Sequence, residues 1–311
     1  MSDRLVPSAV SGAVSSAASA AVARSLPLAY AAGWRGVRAL PPGVAHGLFR
    51  AGADLAARRN GPGARRLRDA LALLVPDAGP AELDALVHAG LRSYARYWCE
   101  VFRLPAMDPR RVHAAMDPHV RGAAPIFEAL GRGRGVVVAL THSGNWDVAG
   151  IWLVEALRAA GHDPSFTTVA ARLRPESLYR RFVAYRERLG FEVVSAEDGA
   201  RAYRALHGRL RRGGVVCLVS DVDLSASGVD VTFLGVPARL PAGAARLAAA
   251  TGAVLLPVVP SFTPDAWAVD IAPPVPVPDR AAVRPAVQGL ADAFGPLLAR
   301  VPQDWHMLQP R

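Results

Sequence analysis

The chain has 311 residues, 51% of them hydrophobic, and a formal net charge of +10; it contains no lysine, so every basic side chain is an arginine. That is enough apolar material for one large α/β domain, or for such a domain with a helical prefix. The positive charge suits anionic headgroups or phosphorylated cosubstrates. Nucleic acid is set aside, because there is no Cys/His finger and the arginines are scattered instead of interleaved with aromatics.

Residues 5–23 carry no charge and are mostly Ala, Ser, Gly and Val. They are too weakly apolar for a membrane span and have no clear signal-peptide core. Residues 1–26 therefore read as an extension lying ahead of a single domain over 27–311. No later segment offers 18 unbroken, strongly apolar residues, so no span is expected. From Leu28 to Leu104 the pattern is helical. Leu83, Val87, Leu91, Tyr94 and Trp98 fall on one helix face and predict a core stripe. Asn60-Gly61-Pro62-Gly63 divides the run. Arg35, Arg38, Arg50, Arg58, Arg59, Arg65, Arg66 and Arg68 accompany Leu28, Trp34, Leu48 and Phe49. That mixture suits the surface of an anionic bilayer.

Beyond Pro125 strands and helices alternate. Strands are expected at 135–140, 165–169, 191–194, 215–219, 229–233, 253–259 and 266–271. Helices are expected at 123–131, 145–160, 175–189, 199–212, 241–251 and 282–300. The alternation predicts a mostly parallel central sheet flanked by helices, following the N-terminal helical region. Pro273 to Pro278 is a proline-rich connection to the last helix. Cys99 and Cys217 lie in apolar runs and read as core residues of a reducing compartment, and no spacing supports a metal site.

Chemistry concentrates after the strand Val136-Val137-Val138-Ala139-Leu140. The run Thr141-His142-Ser143-Gly144-Asn145-Trp146-Asp147 turns from the carboxyl end of that strand into a helix capped by Asn145, the place where open α/β sheets bind ligands. Asp147, five residues after His142, can fold back towards the imidazole. A carboxylate-backed histidine is a general base. With no Ser or Cys in a nucleophile elbow, its expected role is to deprotonate a substrate hydroxyl. The strand Val215 to Val219 ends in Ser220-Asp221-Val222-Asp223. If it neighbours the first strand, either Asp221 or Asp223 can approach His142. Backbone N–H groups near Gly144 or Gly228 are candidates to receive an oxyanion. Tyr179, Val183 and Arg186 share a helix face, and an Arg on such a face calls for an anion. Arg180, Arg181 and Arg188 read as solvated. The other histidines have no partner pattern.

His-Ser-Gly-Asn-Trp-Asp resembles the His-x4-Asp signature of lysophospholipid-type acyltransferases, and its Gly-Asn-Trp resembles the branch of bacterial lipid A acyltransferases. Further stretches are similar to the phosphatidylinositol mannoside acyltransferases within that family. They are Ala31-Ala32-Gly33-Trp34-Arg35, Arg92 to Trp98, Arg181-Phe182-Val183-Ala184-Tyr185-Arg186 and Gln303-Asp304-Trp305-His306-Met307. The likeness spans residues 27–309.

The resemblance implies a glycerolipid acyltransferase-like fold. It also implies an enzyme that transfers a fatty acyl group from acyl-CoA to a mannose hydroxyl of phosphatidylinositol mannosides. His142, Asp147 and Asp221 would be catalytic, while His142, Arg186 and Ser227 would contact acyl-CoA. No metal or resident cofactor is implied, acyl-CoA being a cosubstrate. The expected partners are the glycolipid acceptor and an anionic membrane surface, with peripheral attachment to the cytoplasmic face of the plasma membrane. The chain departs from the family it resembles in carrying Asp221 where Glu is usual, Val222 where Arg is frequent, and Ala171 where Glu is frequent. Rival readings keep the fold and change the activity. They are acylation of lysophosphatidate or a lipid A-like sugar, hydrolysis of an acyl thioester, and lipid carriage without turnover.

Overall fold

Three long helices lead the fold in the computed structural model, which describes residues 33, 35–170, 176–223 and 228–308. They are α1 (Pro42–Arg59), α2 (Pro62–Leu74) and α3 (Pro80–Arg103). Each starts on a proline, whose missing N–H costs nothing in a first turn. Asn60, at φ 42°, ends α1 in the left-handed conformation, and Gly61 then leads into α2. On α3, Val87 and Leu91 are buried as the stripe predicts, but Leu83, Tyr94 and Trp98 are half-buried. Further along, Ser93, Tyr97 and Glu100 are buried instead, because that half of α3 packs against polar groups of the site.

The chain continues through α4 (Pro109–Met116), β1 (Val120–Arg121), α5 (Ala124–Gly131), β2 (Val136–Leu140), α6 (Trp146–Ala159), β3 (Phe166–Ala170), α7 (Glu176–Arg188), β4 (Phe191–Ser195), α8 (Ala200–Arg211) and β5 (Val215–Val219). A hairpin of β6 (Val229–Phe233) and β7 (Val236–Leu240) follows, then α9 (Gly243–Thr251), β8 (Val254–Phe262), β9 (Trp267–Ile271) and α10 (Val283–Ala299). Every strand and helix expected beyond Pro125 is present to within a few residues. The strands β1 and β7 are not among those expected. Pro237 within β7 argues against a strand, yet it sits in a two-stranded ribbon, where a missing ladder donor is tolerated. Leu234 and Gly235 make its turn with φ of 54° and 78°, the positive pair that matches strand twist.

Among the described residues the main sheet has seven strands in the order β1-β9-β8-β2-β5-β3-β4. All neighbours are parallel except β8 and β9. Central β2 is buried throughout, as an uninterrupted apolar run in a parallel sheet should be. Its side chains alternate between two cores. Val137 and Ala139 join Leu67, Leu91, Leu247, Phe294 and Trp305 on one face. Val136, Val138 and Leu140 join Met116, Ile126, Ile151 and Leu157 on the other. The register Leu140↔Val219 sets the carboxyl ends of β2 and β5 side by side, and this pairing builds the site.

Candidate active site

The turn from β2 into α6 is fixed on all sides. Gly144 has φ 52°, and a Cβ there would fall 2.6 Å from the Ser261 backbone nitrogen, so strand β8 leaves room for glycine only. The Ser143 hydroxyl donates to the Pro260 carbonyl at 2.7 Å. Asn145 caps α6 by accepting from the Val148 N–H, and its amide donates to Glu100 Oε2 at 2.7 Å. That same Glu100 oxygen accepts from the Trp267 indole, which ties α3 to β9 across the turn.

On this fixed turn stands His142. Its Nδ1 lies 2.7 Å from Asp221 Oδ1, and its backbone N–H donates to Asp221 Oδ2 at 2.9 Å. Asp221 follows β5 by two residues, and the Ser220 N–H donates to the Leu140 carbonyl at 2.7 Å, so the sheet register carries the carboxylate to the imidazole. The Trp305 indole donates to Asp221 Oδ2 at 2.9 Å. Burial alone would raise the Asp221 pKa, but His142 and these donors hold it below the usual carboxylate value. Burial likewise works to lower the His142 pKa, and the Asp221 charge and hydrogen bond outweigh it, so the net shift is upward. With Nδ1–H directed at Asp221, Nε2 is the nitrogen left to take a proton, and the His142 side chain retains 31% exposure.

Asp147 does not fold back onto His142. Its Oδ1 accepts from Arg186 at 2.7 Å from Nε and lies 2.6 Å from Nη2. The pair is buried, with the guanidinium stacked 3.9 Å from the Phe182 ring centroid. The reason is geometric: Asp147 sits in the first turn of α6 facing α7, where a buried guanidinium needs a counter-charge. Arg186 is therefore matched within the protein and is not an unpaired anion receptor, as its helix face alone suggests. Asp223 accepts from the Gly228 N–H at 2.8 Å, closing its own loop. That bond, and the one from the Gly144 N–H to the Asp304 carbonyl at 2.9 Å, engage the N–H groups of both glycines near which oxyanion donors are expected. Ser227 and Ala171 lie outside the described residues, as do residues 1–26 and Trp34.

What the sequence does not assign is the role of its last segment. Ser143 forms an antiparallel bridge with Trp305, the His306 N–H donates to the His142 carbonyl at 2.8 Å, and the Asp304 carbonyl accepts from Gly144. This segment straps the histidine turn and delivers the Trp305 donor to Asp221. The polar-aromatic run Gln303 to Met307 is its only signal. The His306 imidazole is neutral: burial pushes its pKa down to about 3, and its Nε2 lies 3.0 Å from the Ser93 hydroxyl.

Beside the turn, a narrow cavity of about 90 Å³ runs between α6 and the sheet. Leu140, Gly150, Phe166 and Val258 give it an apolar wall, and Trp146, Asp147 and Arg186 border it. Cys217 lines it too, its thiol pushed up by burial and so no nucleophile. Among the described residues no group of three or more His, Cys, Asp or Glu side chains converges as metal ligands, and no helix is long and apolar enough to cross a membrane.

Residues 17–311 match the family described as bacterial lipid A biosynthesis acyltransferase. The chain is 49% identical to the phosphatidylinositol mannoside acyltransferase of Mycolicibacterium smegmatis, over 91% of this chain and 90% of that protein. It is 47% identical to the protein of the same name from Mycobacterium tuberculosis strain CDC 1551, over 91% of this chain and 87% of the relative.

Proposed function

The chain belongs to the bacterial lipid A biosynthesis acyltransferase family, and from that premise we propose that it transfers a fatty acyl group from acyl-CoA to a mannose hydroxyl of phosphatidylinositol mannosides, with His142 as general base. His142 Nε2 removes the hydroxyl proton, and the oxygen attacks the thioester carbonyl. The tetrahedral intermediate collapses, the C–S bond breaks, and the coenzyme A thiolate leaves with the proton returned from the imidazolium. Asp221 holds the ring in the required tautomer and offsets its transient charge. The direct transfer has no covalent enzyme intermediate. Asp147 and Arg186 act as one buried pair that fixes α7 against α6 at the edge of the apolar cavity beside the turn.

The observation that carries this reading is the His142–Asp221 pair, 2.7 Å apart at the sheet's carboxyl edge. The names of the relatives support the acceptor. Exposed Val44, Leu48 and Leu55 on α1, together with Arg58 and Arg59 at its end, support attachment to an anionic membrane face.

The test is mass spectrometry of the product formed by purified protein from palmitoyl-CoA and mannosylated phosphatidylinositol, with lysophosphatidate in competition. A singly acylated mannose is expected. Preferential acylation of lysophosphatidate would reassign the acceptor and leave the chemistry standing. Release of coenzyme A at the same rate without any acceptor would identify a hydrolase. His142→Ala should stay folded and lose at least about a hundredfold in turnover, the lower range for a positioned general base.

A further inference from the structure

A second cavity, of about 280 Å³, opens where α7 meets the helical turn over residues 35–39, and arginine dominates its lining. Arg35 and Arg38 come from that turn, and Arg181 and Arg188 lie two turns apart on one face of α7. No carboxylate lines the cavity, and among the described residues none of the four guanidiniums has an acidic partner. Their neighbours do: Arg180 faces Glu176 and Arg186 holds Asp147. The turn is fixed in place by Arg103, whose Nη1 donates to the carbonyls of Val37 at 2.8 Å and Leu40 at 2.7 Å.

Tyr185 also lines the cavity, and it supplies an independent observation that points to a ligand. The residue is 8% exposed, and its buried hydroxyl has no hydrogen-bond partner among the described residues. Buried hydroxyls are rarely left so, since an unmet donor costs about as much as a lost hydrogen bond. The hydroxyl pKa is pushed up by burial and by Asp147, and is drawn back by Arg188 and Arg38, so it lies within range of the arginine charges.

Four like charges gathered around one concave site repel each other unless an anion joins them. Phosphate suits the set, because guanidinium pairs with it bidentately and a phenol can donate to one further oxygen. We propose that Arg35, Arg38, Arg181, Arg188 and Tyr185 form a binding site for a phosphate ester, separate from the His142–Asp221 pair. The ester has two possible sources, the phosphorylated end of the acyl donor and the phosphoinositol headgroup of the acceptor. The inference needs only the cavity's own chemistry, so it stands whichever lipid is acylated.

Calorimetry at low salt with coenzyme A, with pantetheine, which lacks phosphate, and with inositol 1-phosphate tests the site without relying on turnover. In the double variant Arg181→Gln, Arg188→Gln, the phosphate ligand that occupies the site should bind about ten- to a hundredfold more weakly, and pantetheine should be unaffected. Selective weakening of coenzyme A supports the site with the donor as its source. Selective weakening of inositol 1-phosphate supports it with the acceptor as its source. Tyr185→Phe is the companion variant. It removes a hydroxyl that has no partner among the described residues, so its thermal unfolding should match or exceed the parent's while phosphate affinity falls. Unchanged affinity for both phosphate ligands in folded variants would overturn the proposal.

Discussion

Asp221→Asn separates the two effects of a carboxylate on a general base. The Asp221 charge raises the His142 pKa against burial, so its removal should lower that pKa. A base works when deprotonated, so the acid limb of the turnover profile should move to lower pH while the maximum rate falls. Turnover measured across pH in the variant and the parent checks both. An acid limb that stays in place would show that Asp221 does not set the imidazole's protonation. Asp147→Asn should behave differently. It strands the buried Arg186 charge, which costs about 3–5 kcal/mol of stability. The acid limb should not move, because Asp147 faces Arg186 and not His142. Denaturant unfolding beside the same pH profile tells the two aspartates apart.

At the scale of elements, the Gln303–Met307 strap is the most informative segment. Trp305 is fully buried, and its indole N–H is one of the donors to Asp221. Trp305→Phe keeps an aromatic ring against Phe233 and removes that donor. A stability loss of about 1–3 kcal/mol is expected for the weakened buried network, together with reduced turnover. Calorimetric unfolding and steady-state kinetics measure the two consequences. The strap also shows where sequence reading stops. Strands β2 and β5 are legible because their residues are all apolar and mostly valine, and the cap at Asn145 is legible because Asn precedes an apolar helical run. Which aspartate meets His142 is not, since it depends on the register Leu140↔Val219 between segments far apart in the chain. The spacing His142 to Asp147 makes a pair plausible, yet Asp147 is drawn to Arg186, which arrives from a different helix. Nor does anything local join Trp305 to Asp221. β7 is hidden for a simpler reason, the proline within it.

For the whole molecule, the charge of +10 matters most where it meets apolar side chains. Val44, Leu48 and Leu55 are 50%, 59% and 46% exposed on α1, while Arg58 and Arg59 close the same helix. Exposed aliphatics beside arginine favour a surface that is both anionic and apolar, and water alone satisfies only the charges. Each arginine held at an anionic bilayer contributes about 1 kcal/mol, and that share is screened as ionic strength rises. The aliphatic share is not. Sedimentation with anionic vesicles should therefore weaken with salt towards a residual level, and binding to neutral vesicles should be weak at every salt concentration. Leu48→Ser with Leu55→Ser should remove the residual binding at high salt while leaving the salt-dependent part. Equal sedimentation with neutral and anionic vesicles at all salt concentrations would refute the electrostatic half of this account. Residual binding unchanged in the double serine variant would refute the half that assigns contact to α1.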